Sequence, residues 1–449
     1  MKPRRPVAPI RLMRNAPPPE SDSTAETIAR MRRDRVIYDG VTGLPIHPFD
    51  DPERAHERIA HLGVIYLQIG KFFGFEELYG WELYDQVLIV VSRGLREDVE
   101  GSRLGANLFS IRYSGSDGFY VLYDLPSSGR ARGSPALEAE GARLQSNAVK
   151  RLRSAFAGTA VDLMTVHASS LVTSDNPRVR SSRHLSRQLS DAVKIVSQRQ
   201  TREKLDLCAA LKRVMAMKQL RAAYQPVRHL ADGEVLGWEA LIRGPVGSPF
   251  ETPNVLFAVA RENDMDVELE TLCLDTIFGG LPRGVSSRRL FVNASSMLLR
   301  HPVFLDERNL ASINRSHHDV VVEISEKEIV EYSSFGGILS TVRGAGLKIA
   351  IDDAGSGYSG LEAILNLRPD YIKVADSLVR GLEGDPIKRE IITSLAAIGR
   401  RIDATLVAEG IERDEELQAL IALGVEFGQG YLLGRPSFQV SSRPFTGHA

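Results

Sequence analysis

Eight short apolar runs, separated by helical patterns, occupy the second half of the chain. They are "RAAYQPV", "EVLGWEALIR", "RLFVNAS", "DVVVEIS", "LKIAIDD", "DYIKVAD", "ATLVAEG" and "VEFGQGY". Short runs rich in β-branched and aromatic residues predict strands, and the longer stretches between them predict helices. Eight strands with intervening helices over about 225 residues predict a (β/α)8 barrel of the TIM type.

Polar side chains stand at or near the ends of these runs. They are Gln225, Glu239, Asn293, Glu323, Asp352 with Asp353, Lys373, Glu409 and Gln429. Because the carboxyl ends of barrel strands meet at one mouth, we expect these side chains to share one site. A single acid after a strand is more often a helix cap or a solvated loop residue. Eight such ends in register favour a common site instead.

Several carboxylates in one site repel one another unless a cation neutralises them. Oxygen ligands suit Mg²⁺ or Mn²⁺. Two such ions about 4 Å apart can activate a water and stabilise the leaving oxygen of a phosphoryl displacement. The strand ends therefore predict a site for two divalent ions, in which a lysine holds the attacking water or balances phosphate charge.

The stretch "DDAGSGYSG" also contains a G-x-G-x-x-G pattern formed by Gly355, Gly357 and Gly360. This pattern can cradle a pyrophosphate at a helix N-terminus. A bound pyrophosphate would, however, face Asp352 and Asp353 without a compensating charge. We therefore interpret the glycines as a loop beside metal ions.

Composition sets limits on the class of protein. The chain of 449 residues is 43% hydrophobic and 25% charged with a formal net charge of -1, which gives no argument for wholesale binding to nucleic acid or membrane. Its two cysteines exclude a disulfide framework. The first 27 residues are basic and proline-rich and lack the apolar core of a signal peptide, and no 18-residue apolar run occurs. We expect a cytoplasmic protein with a disordered leader over residues 1–27.

The first half of the chain follows a different pattern. Between residues 28 and 196 a strand, a helix, a hairpin, a helix and a strand occur in the order β-α-β-β-α-β. This order predicts a ferredoxin-like α+β domain, as in nucleotide cyclases. Residues 181–219 are polar and helical in pattern, which predicts a connecting helix between the domains. We assign residues 197–218 to this helix and residues 219–449 to the barrel domain.

The second half resembles the EAL phosphodiesterase domain, which degrades cyclic di-GMP. "YQPV", "EAL" at 239–241, "VNAS", "EISE", "DDAGSGYSG", "IKVAD", "AEGIE" and "GQGYLLGRP" match its motifs in order, over roughly residues 219–438. The resemblance implies hydrolysis of one phosphodiester bond to give linear pGpG. It also implies a homodimer formed through this domain.

The resemblance implies a role for each matching position. The metal ligands would be Glu239, Asn293, Glu323, Asp352 and Asp353. Lys373 and Glu409 would position or deprotonate the attacking water, and Glu239 would act with them. The substrate would be bound by Arg243, Gln225 and Gln429, with Glu326 and Glu412 supporting the loop and the metal shell.

Two positions depart from the EAL pattern. The family usually has phenylalanine where Ala354 stands, which concerns loop packing and dimer-linked regulation. The aspartate usually found two residues after the lysine is replaced by Ala375, and Asp376 follows. The direct metal ligands implied by the resemblance are all kept.

The first half resembles a GGDEF domain, the family that makes cyclic di-GMP. "YDGVTGLP" is similar to its D-x-L-T-G-L-x-N motif, and "GSDGF" at 115–119 stands for G-G-D-E-F, so Gly118 replaces an acid. Upstream, Gln68 and Gly70 replace metal-binding acids, and Glu76 and Glu77 replace a base-reading Asn-Asp pair. We expect no cyclase activity. A structural or dimerising role and GTP sensing both remain open.

Two hypotheses follow for the whole chain. One is a metal-dependent cyclic di-GMP phosphodiesterase. The other is a non-hydrolytic receptor or scaffold that binds cyclic di-GMP, or a signalling partner protein, through the barrel. The first is motivated by the full set of matching ligands, and the second by Ala354, Ala375 and the degenerate first domain.

Overall fold

The structure is a computed structural model. It describes residues 37–46, 61–70, 81–115, 117–125, 134–156, 164–174, 181–281, 289–306, 313, 319–326, 332–355 and 360–440. The chain divides into two compact units, residues 1–207 (unit 1) and 208–449 (unit 2). The expected leader, Glu76, Glu77 and Gly357 lie outside the described residues.

Unit 1 contains an antiparallel sheet of four strands. Its elements are β1 (His61–Gly70), α1 (Trp81–Glu100), β2 (Leu108–Tyr113), β3 (Gly118–Asp124), α2 (Pro135–Ala155), β4 (Thr165–Ser174) and the first part of α3 (Ser181–Ala216), a helix whose last residues belong to unit 2. The strand order is β2-β3-β1-β4, and all neighbours are antiparallel. This arrangement confirms the predicted ferredoxin-like fold.

Side chains alternate between the two faces of this sheet, and each face packs into a hydrophobic core of its own. Ile65 and Leu67 belong to a core formed with α1 and α2. Val64 and Tyr66 belong to a second core that contains Leu185 of α3. The connecting helix expected over 197–218 is the later part of α3, a single helix of 36 residues. It starts at Ser181 because its first turns bury apolar side chains against the sheet.

Unit 2 is a closed barrel of eight strands. The strands are β5 (Arg221–His229), β6 (Val235–Arg243), β7 (Arg289–Asn293), β8 (Val320–Ser325), β9 (Lys348–Ala354), β10 (Tyr371–Val374), β11 (Thr405–Ala408) and β12 (Phe427–Gly428). Their order around the barrel is β10-β11-β12-β5-β6-β7-β8-β9. The predicted TIM-type architecture is confirmed.

Helices follow most of these strands. They are α4 (Pro253–Glu262), α5 (Asp266–Gly279), α6 (Ser296–Arg300), α7 (Pro302–Leu305), α8 (Tyr332–Gly344), α9 (Gly360–Leu367), α10 (Asp376–Val379), α11 (Pro386–Ile402) and α12 (Asp414–Ala422). Across the described ranges of both units, no helix combines the length and the apolar character that crossing a bilayer requires.

The first barrel strand corrects one expectation. β5 runs antiparallel to both of its neighbours, β6 and β12, whereas the other neighbouring pairs are parallel. A turn and not a helix connects β5 to β6, since they form a hairpin over residues 230–234. The carboxyl end of β5 therefore points away from the mouth at which the other strands end.

A layer of apolar side chains fills the barrel interior. We call it the plug, and it consists of Val227, Phe291, Val321, Ala350, Tyr371 and Val407, with Leu236 and Phe427 packed against them. The rings of Phe291 and Tyr371 meet edge to face with centroids 5.2 Å apart. The interior is thus a packed core at this level and not a channel.

Candidate active site

Polar side chains form the layer next to the plug. Along six strands the polar residue comes two positions after the plug residue: Asn293 after Phe291, Glu323 after Val321, Asp352 after Ala350, Lys373 after Tyr371, Glu409 after Val407, and Gln429 after Phe427. In the reversed strand β5 the order is inverted, because Gln225 comes two positions before Val227. Side chains two residues apart lie on the same face of a strand. The plug therefore places these polar groups inside the barrel.

Glu239 joins this layer from β6, where it pairs directly with Gln225 of β5. We call the eight residues the polar ring: Gln225, Glu239, Asn293, Glu323, Asp352, Lys373, Glu409 and Gln429. The structure brings together all eight predicted strand ends. Gln225 belongs to the ring although its strand runs the other way, because it lies in the middle of β5 and not at its end.

The ammonium group of Lys373 lies at the centre of the acids in the ring. Its Nζ is 2.7 Å from Glu323 Oε1, 2.8 Å from Glu409 Oε1, 3.0 Å from Asp352 Oδ1 and 3.4 Å from Glu239 Oε2. The lysine side chain is only 1% exposed. One positive charge thus faces four carboxylates at short range, in a site of reduced dielectric constant.

The amides of the ring hold Glu239 from the other side. Gln429 Nε2 donates to Glu239 Oε2 at 2.7 Å and to Gln225 Oε1 at 2.9 Å. Asn293 Nδ2 donates to Glu239 Oε1 at 3.1 Å. Gln225 Nε2 in turn donates to the carbonyl of Gly434 at 3.0 Å. Both carboxylate oxygens of Glu239 are therefore fixed by neighbours in the ring.

Burial and mutual repulsion shift the ionisation of the ring. Burial, followed by the nearby charge of Glu239, raises the pKa of Glu323 well above its usual value. Burial also raises the pKa of Glu409, against the opposing effect of Lys373. For Lys373, burial lowers the pKa, but the carboxylates led by Asp352 and Glu239 outweigh burial and raise it well above the ordinary value. The lysine is held as a cation.

The chain turns sharply at the end of β9. Asp353 has φ 57° and Gly355 has φ 91°, so both occupy the left-handed region. The pairing with β10 shifts register here, between Ile372 and Val374. The amide of Gly355 donates to Glu326 Oε2 at 2.9 Å, which places the predicted loop-supporting residue against this turn. Glu326 is 2% exposed.

Three predicted or noted residues lie outside the contacts of the ring. Arg243 donates from Nη1 to its own neighbour, the Ile242 carbonyl, at 2.8 Å, and burial lowers its pKa. The carboxylate of Glu412 is 4.0 Å from Arg380 Nη2 and is about half exposed. Asp376 is 60% exposed and faces Arg380 at 3.7 Å, so it does not take the place of the aspartate missing at Ala375.

The ring has the chemistry of a divalent-ion site, although the side chains as placed do not form one. Among the described residues, no three His, Cys, Asp or Glu side chains are grouped so that they could hold a metal ion. The Lys373 ammonium lies between the carboxylates instead. Four buried oxygens in the ring nevertheless lack a hydrogen-bond partner: both oxygens of Glu323, Asp352 Oδ1 and Gln429 Oε1. Two of them, Glu323 Oε1 and Asp352 Oδ1, make ion pairs with Lys373. With four carboxylates to one ammonium, the donor set fits a hard cation such as Mg²⁺ or Mn²⁺.

A cavity of about 280 Å³ adjoins the ring between β6, β7 and the helices α4 and α5. Glu323, Asn293 and Arg243 line its polar side, and Phe257 and Cys273 line its apolar side. Pockets of mixed lining suit ligands that carry both flat apolar and charged parts.

Reasoning from the sequence missed two buried acids near the site. Glu270 in α5 accepts a hydrogen bond from the amide of Ser295 at 2.8 Å, two residues after Asn293. Glu416 in α12 is 1% exposed and accepts several hydrogen bonds from the turn that precedes this helix. Glu416 has a detectable signal, since an acid at the third helical position is typical of a helix start. Glu270 has none.

In unit 1 the turn between β2 and β3 places the GGDEF-like residues. Tyr84 donates from its hydroxyl to Asp117 Oδ1 at 2.6 Å. A Cβ on Gly118 would lie only 2.6 Å from ring atoms of Tyr66. The side chain that a cyclase carries at this position therefore has no room. Gln68 pairs with Gly118 across β1 and β3, so two of the positions at which acids are replaced are neighbours.

Unit 2 is thus a closed eight-stranded barrel that carries a ring of acids around one lysine. The EAL domain family matches residues 209–436, which is half of the chain. The chain belongs to the EAL domain family.

Curated relatives extend over both units. The "Bifunctional diguanylate cyclase/cyclic di-GMP phosphodiesterase MucR" of Pseudomonas aeruginosa is 25% identical over 92% of this chain and 62% of its own length. The "Cyclic di-GMP phosphodiesterase PdeR" of Escherichia coli is 25% identical over 93% of this chain and 64% of its own length. The chain therefore spans less than two thirds of these relatives. Unit 1 is compatible with a degenerate GGDEF domain.

The chain is also similar to solved structures. A structure of the PaMucR phosphodiesterase in complex with c-di-GMP is 26% identical, covers 52% of this chain and 97% of that chain, and has a TM-score of 0.46. The "S helix-GGDEF-EAL" structure of Vibrio cholerae LapD, bound to c-di-GMP, is 16% identical, covers 90% of this chain and 98% of that chain, and has a TM-score of 0.48.

Proposed function

We propose that the chain is a metal-dependent phosphodiesterase that hydrolyses cyclic di-GMP to linear pGpG. The observation that carries the proposal is the arrangement of four carboxylates, three amides and one lysine in a single ring. The names of MucR and PdeR support the same substrate.

The reaction consumes one water. Its oxygen forms a bond to phosphorus, the bond between phosphorus and the 3′-oxygen breaks, and that oxygen leaves as a hydroxyl after it takes a proton. Glu409 is suited to accept the proton of the attacking water, because it is 17% exposed while Glu323 is fully buried. Lys373 remains protonated and donates a hydrogen bond to the water or the phosphate. Arg243, at the edge of the adjoining cavity, would bind a phosphate oxygen.

Divalent ions would be held by the acids and amides of the ring. Glu239, Asn293, Glu323 and Asp352 would hold the first ion, and Asp353 together with Asp352 would hold the second. When bound, such ions supply Lewis-acid polarisation of the phosphate and lower the pKa of a bound water. The buried oxygens of Glu323 and Asp352 that lack a hydrogen-bond partner support this assignment.

The test is incubation of the full chain with cyclic di-GMP and Mg²⁺, followed by separation of nucleotides. We expect pGpG to appear, to disappear after chelation with EDTA, and to return when Mg²⁺ or Mn²⁺ is added. Ca²⁺ should support less turnover, because it prefers more ligands at longer distances. Folded protein that gives no pGpG above background would reject the proposal.

The alternative is a non-hydrolytic receptor or scaffold. It is favoured by Ala354 and Ala375, which stand side by side at the end of β9 and the end of β10. Equilibrium dialysis of labelled cyclic di-GMP separates the two functions. Binding without turnover selects the receptor, and neither binding nor turnover leaves a protein partner as the ligand.

We assign unit 1 a regulatory or dimerising role without cyclase activity. The close approach of Tyr66 to Gly118 and the replacement of acids by Gln68 and Gly70 support this assignment. Incubation with GTP and Mg²⁺ should give no cyclic di-GMP. The variant Gly118→Glu should also give none, because Tyr66 occupies the space that the new side chain needs.

We further propose that two copies of the chain form a homodimer through unit 2. Leu361 and Leu365 are one turn apart on α9 and are 61% and 75% exposed, which is unusual for leucine. Sedimentation of wild type and of a Leu361→Ser/Leu365→Ser double variant tests this. A variant that sediments as wild type does would exclude this face.

A further inference from the structure

Glu416 is a buried carboxylate outside the polar ring, and it is held by an unusual number of donors. Its Oε1 accepts from the Gly381 amide at 3.1 Å and from the Arg413 guanidinium, with Nη2 at 2.9 Å. Its Oε2 accepts from the amides of Glu412 at 3.1 Å and Arg413 at 3.2 Å. A carboxylate with this many charge-assisted hydrogen bonds has one fixed position.

These donors belong to two different segments of the barrel rim. The first rim segment, residues 376–384, follows β10, which carries Lys373. The second rim segment, residues 409–413, follows β11 and begins with Glu409. The two segments touch directly, since a Cβ on Gly410 would lie 2.6 Å from the Cβ of Asp376. Arg413 adds a second link, from Nη2 to Glu383 Oε1 at 2.7 Å.

A helix cap explains only part of this geometry. The contact of Glu416 with the Arg413 amide is one half of a capping box, in which the third helical residue accepts from the N-cap amide at the start of α12. The contact with Gly381 has no part in that helix, because Gly381 lies 35 residues earlier in the chain. The left-handed φ of 72° at Gly381 directs its amide in a way that most other residues adopt only with strain. The carboxylate therefore connects the two rim segments as well as capping α12.

We propose that Glu416 is a positioning residue that holds Glu409 against Lys373 by clamping the two rim segments together. The ion pair between Glu409 and Lys373, at 2.8 Å, is the contact that this clamp keeps in place. The amide of Glu409 also donates to the Val374 carbonyl at 3.1 Å, so the segments are already joined where they begin. The catalytic consequence rests on the proposed phosphodiesterase function, whereas the clamp itself does not.

Hydrogen exchange tests the clamp directly. Wild type, Glu416→Gln and the matched control Glu415→Gln, an exposed neighbour on the same helix, are compared by mass spectrometry of peptides that cover both rim segments. We expect exchange in Glu416→Gln to be about tenfold faster or more in both segments, and unchanged in the control. Faster exchange confined to residues 412–416 would reduce Glu416 to a helix cap and overturn the proposal.

Kinetics tests the consequence. In Glu416→Gln we expect kcat to fall about tenfold or more while KM stays within about threefold, because the groups that bind substrate keep their places. A wild-type kcat in a variant with loosened rim segments would overturn the positioning role. If the wild type itself shows no turnover, the proposed function fails, and the exchange experiment still decides whether the clamp exists.

A second variant guards against misfolding of the first. Arg413 is 46% exposed, and Arg413→Ala removes the link to Glu383 while the amide contacts of Glu416 remain. Exchange should rise in both rim segments, but less than in Glu416→Gln. Unchanged exchange in residues 376–384 would contradict the clamp.

Discussion

The amide of Ala375 donates a hydrogen bond to the carbonyl of Ala354 at 3.1 Å. The two positions at which this chain departs from the EAL pattern are therefore direct neighbours, on adjacent strands. Ala354 is 0% and Ala375 is 1% exposed, so two small side chains fill a closely packed place. Leu378 occupies the space beside the next residue, since a Cβ on Gly355 would clash with its side chain.

Ala354→Phe should destabilise the protein by about 1–3 kcal/mol, because Ala354 is fully buried and the larger side chain must displace its packed neighbours. Urea unfolding measures the effect. Val246→Phe, at a position that is 70% exposed, is the control and should leave stability unchanged. Equal stability of Ala354→Phe and wild type would mean that the end of β9 repacks freely around a large ring.

Lys373→Met should destabilise the chain by about 3–5 kcal/mol in EDTA at neutral pH, because four carboxylates lose the ammonium that lies between them. The pKa values of Glu323 and Glu409 are already raised by burial, and they rise further in the variant because Lys373 no longer opposes that effect. Stability is present below the unfolded values and is lost as pH rises through the raised ones. The difference in Tm from wild type should thus be larger at pH 8 than at pH 5.5.

Lys348→Met provides the control for that variant. Lys348 makes an ion pair with Asp319 at 2.8 Å and is 32% exposed, so solvent screens the interaction. Its loss should cost less than about 1 kcal/mol. Added Mg²⁺ should raise the Tm of Lys373→Met, since a ligand that binds only the folded state stabilises it. No response to Mg²⁺ in either protein would argue against a metal site in the ring.

Glu239→Gln should reduce turnover about a hundredfold or more and leave the fold intact. The amide keeps the shape of the side chain but removes a charge next to Lys373 and an acceptor for Gln429. Steady-state formation of pGpG measures it. Glu268→Gln, on the exposed side of α5, should be indistinguishable from wild type. A Glu239→Gln enzyme with wild-type kcat would remove Glu239 from the catalytic site.

Glu416→Gln should lose about 3 kcal/mol of stability at neutral pH, because buried amides lose a charged acceptor. For Glu416, burial raises the pKa, but hydrogen bonds from the Glu412 amide, the Arg413 side chain and the Gly381 amide lower it further. The stabilisation is therefore present above the ordinary value of 4.5 and is lost as pH falls below it. The difference in unfolding free energy between wild type and Glu416→Gln should therefore be smaller at pH 4 than at pH 7 and should shrink further as pH falls. A difference that stays constant would show that ionisation of Glu416 does not matter.

The sequence predicted the barrel and the members of the ring because both depend on short periodic patterns. Side chains alternate between the faces of a strand, so a polar residue two positions after a plug residue points to the same side, as Lys373 does after Tyr371. The direction of β5 was not predictable in this way, since alternation is the same in both directions. Only the short turn over residues 230–234, too short for a helix, indicated the hairpin.

Contacts between segments that are far apart in the sequence could not be predicted either. The helical pattern over residues 181–219 predicted α3, but its polarity did not indicate that Leu185 and its neighbours pack on the sheet of unit 1. The contact between Glu416 and Gly381 joins a residue of α12 to a turn 35 residues earlier and has no period in the sequence. The exposure of Asp376 follows from its place in α10, after the buried end of β10.

The two-residue spacing between plug and ring places the apolar residues that stabilise the barrel and the polar residues of the candidate site in two separate layers. The packing of the plug stabilises the barrel next to the ring. An acid of the ring can therefore be replaced by an amide, as in Glu239→Gln, while the barrel remains folded. In evolution, substitutions at a few ring positions can therefore change the function of such a barrel, in either direction between catalysis and ligand sensing, while its fold is kept.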